Sequence, residues 1–362
     1  MRLNILLIVI YCFIFNNAYG QAKNKTDFSV MANYHYGVLL PEYQMVNYLA
    51  NDYIRALDLS IYKKSTGKNF WEQLYNYPEY GFSLYYTTLG NNSIFGKEIA
   101  LNYFFKLFII SKKRFQLYNR TGIGLSYVSE KYNSVENYMN VAIGSHANIH
   151  FNIRLGASYL ITKKYKLNMG ISFDHLSNAN TSEPNLGLNS ITTYTGICYY
   201  FGNPPKLVNN IIAKFKPENY FEVFANVGGK HTRALSSNYY PTFSTAFEYH
   251  RSVFPAIHFG TGIDLFYDGS IYEQFKNIES DYKNSYGYQS GIHISQTFVY
   301  NRLKIELQEG IYILLPEKIA NNKIYTKVIL KYYITPKINV RLLMKSYLHI
   351  LNYPEIGVGY KF

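Results

Sequence analysis

The sequence predicts an all-β fold, an antiparallel transmembrane β-barrel of about 14–16 strands, and three observations lead there. The first is aromatic content: 40 Tyr and 24 Phe in 362 residues. Aromatic side chains line both membrane interfaces of such barrels, where an apolar body and a polar tip are each satisfied. The second is that the hydrophobic residues, 48% of the chain, are spread in alternation and seldom form blocks. A period of two places successive side chains on opposite faces of a strand. The third is length. Segments 95–107, 148–161, 286–299 and 302–315 exceed ten residues. A tilted membrane strand needs about 9–11, whereas a strand in a water-soluble protein has about 5–6. A soluble β-sandwich explains the alternation but not this length. In lipid an open sheet edge would leave backbone groups unpaired, so such strands must close on themselves.

The elements follow in order. Arg2, an apolar run from Leu3 to Phe15 broken by Asn4, and the small-residue site Ala18-Tyr19-Gly20 read as a signal peptide over residues 1–20. The expected location is therefore the bacterial cell outer membrane, after export and cleavage. With Cys12 removed, Cys198 is the remaining cysteine, so no internal disulfide is expected. Residues 21–201 form a first half of about eight strands. In it Ile149, Phe151, Ile153 and Leu155 alternate with His150, Asn152, Arg154 and Gly156. Residues 202–218 carry three prolines with several Asn and Lys, and read as a linker or long turn. Residues 219–362 form a second half, also of about eight strands. Two tandem eight-stranded units are thus the alternative to one continuous barrel. The charge of +13 comes without long basic runs or a nucleic-acid motif. It suits loop tips and anionic lipid phosphates.

The chain closes with Ile356, Val358, Tyr360 and Phe362 alternating with Glu355, Gly357, Gly359 and Lys361. This resembles the last strand of bacterial outer-membrane barrels, which implies the outer-membrane assembly machinery as a partner.

The chemistry concentrates in one stretch. Leu167, Met169, Ile171 and Phe173 form the apolar parity of a strand; Asn168, Gly170, Ser172 and Asp174 form the polar one. His175 and Ser177 continue the apolar parity. After a polar turn, Asn189 opens the mostly apolar parity of the next strand, ahead of Ile191, Thr193 and Ile197. Two positions on one face lie roughly 7 Å apart along the strand. A serine nucleophile needs a base within hydrogen-bond reach and a third group to orient that base. Ser177 would attack, His175 would take its proton, and a residue of the next strand would hold the imidazole. The side-chain amide of Asn178 would face the developing oxyanion. The other reading is that these are polar turn residues flanking a membrane strand. His231, His250, His258 and His293 are scattered, without metal-ligand spacing, so no metal or cofactor is expected.

His175-Leu-Ser177-Asn178-Ala179, then Pro184-Asn185, then Gly187, resembles the signature of lipid A 3-O-deacylases of the PagL type and related acyloxyacyl hydrolases. The likeness is close over residues 165–201 and extends in strand count over residues 28–201. It implies an eight-stranded outer-membrane barrel that hydrolyses an ester-linked hydroxyacyl chain of lipid A, with lipid A or lipopolysaccharide as the membrane partner. It assigns catalysis to His175 and Ser177 and an oxyanion role to Asn178. One position departs. The glutamate that the family places twelve residues after the serine is Asn189 here. An amide fixes an imidazole tautomer but brings no full charge to the imidazolium, so a slower or differently tuned hydrolase is implied. Glu183 in the turn is a candidate substitute acid. Asp174 is a second candidate but has the wrong parity.

Overall fold

The computed structural model describes residues 28–362 except residues 42, 180, 203–205, 210–214, 232–237, 272–283, 316–322 and 348–349. The signal peptide expected over residues 1–20 lies outside the described residues. Sixteen strands are present among the described residues. The first eight are β1 (Phe28–Leu40), β2 (Ile54–Lys64), β3 (Glu79–Thr88), β4 (Lys97–Ser111), β5 (Phe115–Val128), β6 (Ala147–Leu160), β7 (Tyr165–Ser177) and β8 (Leu188–Phe201). The second eight are β9 (Asn219–Lys230), β10 (Tyr240–Phe254), β11 (Ile257–Asp268), β12 (Tyr288–Tyr300), β13 (Leu303–Leu314), β14 (Ile324–Tyr333), β15 (Ile338–Tyr347) and β16 (Ile350–Lys361).

The strands do not form one ring. β1 pairs with β8, from Phe28↔Phe201 to Leu40↔Asn189, and closes a first eight-stranded barrel. β9 pairs with β16 and closes a second. The single continuous barrel gives way to the two-unit alternative. Alternation and strand length are the same in both arrangements, so only the long-range pairs distinguish them. Among the described residues no helix is long and apolar enough to cross a membrane.

The faces are inverted relative to a soluble protein. On β2 the outward side chains are Leu57, Leu59 and Ile61, all exposed, while Asp58 and Ser60 are buried. The second barrel repeats this: Phe247, Ile263, Leu265, Val328 and Leu330 lie outside, and Glu248, Asp264 and Lys327 inside. A continuous apolar wall of this size is unstable against water and suited to lipid.

An eight-stranded barrel is just wide enough for side chains to fill, and charged groups fill these two. In the first barrel Asp58 accepts from Arg154 Nη1 at 2.5 Å and lies 3.2 Å from Arg120 Nη1. The Arg120 guanidinium covers the Phe104 ring at 3.8 Å. In the second, Lys331 binds Glu306 at 2.6 Å, Glu222 at 3.2 Å and Glu248 at 3.3 Å. Away from water a charge is tolerated only with counter-charges and hydrogen bonds around it.

The first barrel differs at one end. There Leu39, Ile54, Leu89, Phe95, Val128, Leu176 and Leu188 pack with Val46, Ala142 and Ile143 of the connecting segments into an apolar plug. At the other end the two barrels touch. Trp71 and Tyr75, in the β2–β3 connection, meet Tyr300 at the end of β12, with ring centroids 6.3 and 4.5 Å apart. Phe105, on the outer wall of β4, lies 5.2 Å from the same ring. Tyr75 also donates to the Ala256 carbonyl at 3.0 Å.

Replacing Asp58 with Asn leaves Arg120 and Arg154 side by side without their shared carboxylate. Breaking a buried ion network in this way costs about 3–5 kcal/mol. Thermal unfolding in detergent is expected to show the first barrel melting earlier, with the second unchanged.

Candidate active site

Three side chains that the alternation assigned to one outward parity meet at the rim of the first barrel. β7 and β8 pair antiparallel, with His175 directly across from Asn189. His175 Nε2 lies 3.0 Å from Ser177 Oγ, and His175 Nδ1 lies 2.6 Å from Asn189 Oδ1. Leu176, between His175 and Ser177, points inward and is buried in the apolar plug, as is Leu188 beside Asn189. One strand cannot bury Leu176 without turning its neighbours outward. Phe173, Ile191 and Leu40 continue the exposed wall around the site, and His175, Ser177 and Asn189 are half-buried within it.

The contacts fix the proton positions. The Asn189 oxygen is only an acceptor, so Nδ1 of His175 carries the hydrogen. Nε2 is then unprotonated and accepts from the Ser177 hydroxyl. This is the tautomer a serine nucleophile requires.

Residues 178–179 and 181–187 are held by their own polar groups and by the β5–β6 connection. The Asn178 backbone N–H donates to Asn185 Oδ1 at 3.0 Å. Asn178 Nδ2 donates to the Ser182 carbonyl at 2.7 Å, and Asn178 Oδ1 accepts from the Thr181 N–H at 3.1 Å. Ser182 Oγ donates to the Gly144 carbonyl at 3.2 Å, and the Gly187 N–H donates to the Ala142 carbonyl at 3.1 Å. Gly187 sits at φ +73°, and a Cβ there would lie 3.1 Å from His175 Cε1. A side chain at this position is both strained and in the way of the imidazole.

Asn178 is buried, and one N–H of its side-chain amide is taken up by the Ser182 carbonyl. Glu183 is not among the hydrogen-bond partners of His175, whose two nitrogens face Asn189 and Ser177. Burial holds the Glu183 carboxyl above its ordinary range, against the backbone N–H of Asn185 that lowers it. Asp174 faces the lumen, as its parity requires, and accepts from Ser172 at 2.7 Å and contacts His150 at 3.2 Å. Reading by parity did not find the support from Asn185 and the Ala142–Gly144 segment, because loops have no period. The pairing of Pro184-Asn185 with Gly187 was the one available signal.

In the second barrel Glu222, Glu248 and His250 have ligand atoms close enough for a metal ion. Lys331 and Arg341 already neutralise the two carboxylates, so the cluster reads as a lumen ion network.

Comparison with known proteins agrees with this division of the chain. Residues 55–197 match the family described as lipid A 3-O-deacylase (PagL), and residues 219–362 match the acyloxyacyl hydrolase C-terminal domain. No curated protein matches. Among solved structures, Neisserial surface protein A shares 15% identity over 48% of this chain and 97% of its own, with a TM-score of 0.33. A triple mutant of Rhodopseudomonas blastica porin shares 8% identity over 92% of this chain and 100% of its own, with a TM-score of 0.18.

Asn189→Glu puts a charge where the amide oxygen now sits. A charge-assisted hydrogen bond exceeds a neutral one by about 1 kcal/mol, so ester turnover is expected to rise roughly fivefold. Glu183→Gln, by contrast, is expected to leave turnover unchanged.

Proposed function

The chain belongs to the lipid A 3-O-deacylase (PagL) family, and on that premise we propose that it is an outer-membrane esterase removing an ester-linked acyl chain from lipid A or a related glycolipid. The observation that carries this reading is the Asn189–His175–Ser177 chain of contacts on the outward wall, 2.6 and 3.0 Å long. The acyl ester of such a lipid lies at the boundary between headgroup and hydrocarbon. A membrane-embedded enzyme meets it with groups that face outward where the apolar band ends.

In the proposed reaction Ser177 Oγ attacks the ester carbonyl as His175 Nε2 takes its proton. The resulting imidazolium returns that proton to the departing alkoxide of the sugar, which leaves the acyl group on Ser177. Water, deprotonated by His175, then releases the fatty acid. Asn189 holds the ring through Nδ1 and stabilises the imidazolium only as a dipole. One N–H of the Asn178 amide is bound to the Ser182 carbonyl, and its second N–H is the donor that would meet the negative charge on the tetrahedral intermediate. No metal or cofactor takes part in this scheme. A conducting barrel draws no support from lumens occupied by Arg120, Arg154, Lys331 and Arg341. The signal peptide and insertion by the outer-membrane assembly machinery belong to the same proposal.

Mass spectrometry of lipid A from cells producing the protein is expected to show loss of one hydroxyacyl chain. Ser177→Ala and His175→Asn, present in the outer membrane at equal amount, are expected to leave lipid A intact. An unchanged profile with folded wild-type protein would favour a barrel whose hydrolytic site has decayed.

A further inference from the structure

The second barrel has a cationic mouth that its own side chains do not neutralise. The cavity has a volume of about 310 Å³ and is lined by Asn301, Arg302, Lys304, Tyr333, Thr335 and Lys361 among others, with no carboxylate. Arg302 lies in the β12–β13 turn, Thr335 in the β14–β15 turn, and Lys361 ends β16. Lys304 decides the matter. It is 8% exposed, and among the described residues it has no ion-pair partner. Its ammonium instead lies 4.3 Å from the Tyr333 ring centroid and 5.2 Å from that of Tyr220. Lys361 shares the Tyr220 ring, at 4.2 Å. One layer deeper Glu306 and Glu248 contact Lys331, and Glu222 contacts both Lys331 and Arg341; three carboxylates meet two cations there, which leaves one negative charge to offset part of the three positive ones at the mouth.

A buried cation without a counter-charge is costly, and three converging cations raise the local concentration of anions. Ring faces offset part of that cost but do not cancel the charge. The mouth of the first barrel, of about 300 Å³, is lined by Lys64, Lys113, Arg114, Lys163, Lys164 and Lys166 around one carboxylate, Glu79, which lies 3.7 Å from Lys166 and 3.0 Å from Lys106. That mouth is cationic too; what sets the second apart is Lys304, buried and without an ion-pair partner among the described residues.

We propose that the mouth formed by Arg302, Lys304 and Lys361 is a binding site for a phosphate-bearing anion. At roughly 30 Å³ per water the cavity holds about ten waters, room for a phosphate group and part of what it is attached to. The ligand is either a soluble phosphate compound or the headgroup of an anionic phospholipid. Because Tyr300 meets Trp71 and Tyr75 at this end, the mouth lies across the membrane from the Ser177 rim. That the ligand comes from the periplasmic side rests on the deacylase reading; the binding itself does not.

The test uses the full chain folded in detergent or in nanodiscs. A ligand that binds only the folded state raises the unfolding temperature. Inorganic phosphate is compared with chloride at equal ionic strength, and phosphatidylglycerol nanodiscs with phosphatidylcholine ones. A phosphate-specific rise points to a soluble anion, and a rise confined to phosphatidylglycerol points to a headgroup. In either case Lys304→Met is expected to weaken apparent affinity by about tenfold or more, the loss of one charge-assisted contact. Arg302→Gln, at an exposed turn where folding is not at risk, is expected to weaken it in the same direction. Loss of lipid A acylation in cells is expected to be unchanged in both variants, which separates this site from the catalytic one. No rise with either probe, or a rise that both variants retain in full, would overturn the proposal.

Discussion

Everything at the rim depends on the pairing of β7 with β8 and on the side chains that this pairing buries. In lipid every backbone N–H and C=O of a spanning strand must find its partner in the neighbouring strand. That requirement fixes the pleat, and the pleat fixes which side chains face out. Leu176 and Leu188 enter the apolar plug, so His175, Ser177 and Asn189 must face the other way. The contact between imidazole and hydroxyl is thus held by strand geometry and core packing. A slip of β7 by one residue would carry His175 and Ser177 into the lumen and part them from Asn189.

The interior and exterior of each barrel solve opposite problems. Outside, Leu, Ile, Val and Phe meet hydrocarbon. Inside, carboxylates and cations sit in a space with little water, where each charge must be matched. Asp58 between two arginines and Lys331 among three glutamates are two versions of that match. Charges fill both lumens, and the one cysteine among the described residues, Cys198, is a buried free thiol against Tyr62. The mouth around Lys304 is where the match fails, and so it stands out as a place for a ligand.

Much of this was legible in the sequence, and for a physical reason. Alternation is a local property, so the inward Asp174 and the outward His175 and Ser177 were assigned to their faces by counting. That a residue of the next strand holds His175 followed from parity; that this residue is Asn189 was implied by the family resemblance. Closure did not follow. Whether β8 returns to β1 or continues to β9 is decided by pairs far apart in the chain, such as Phe28 with Phe201, and nothing local records it. The hydrogen bonds within the loop did not follow either, because residues in a loop have no parity: those of the Asn178 side chain run to Ser182 and Thr181.

The central claim is that the Ser177 hydroxyl is activated by His175 on a wall that faces lipid. Incubating the protein in nanodiscs with a long-chain alkyl fluorophosphonate, followed by peptide mass analysis, reads this directly. The account predicts a phosphonyl adduct on Ser177 whose formation is abolished by His175→Ala. An unmodified Ser177 in folded, bilayer-embedded protein would contradict it, as would an adduct that forms equally fast without the imidazole.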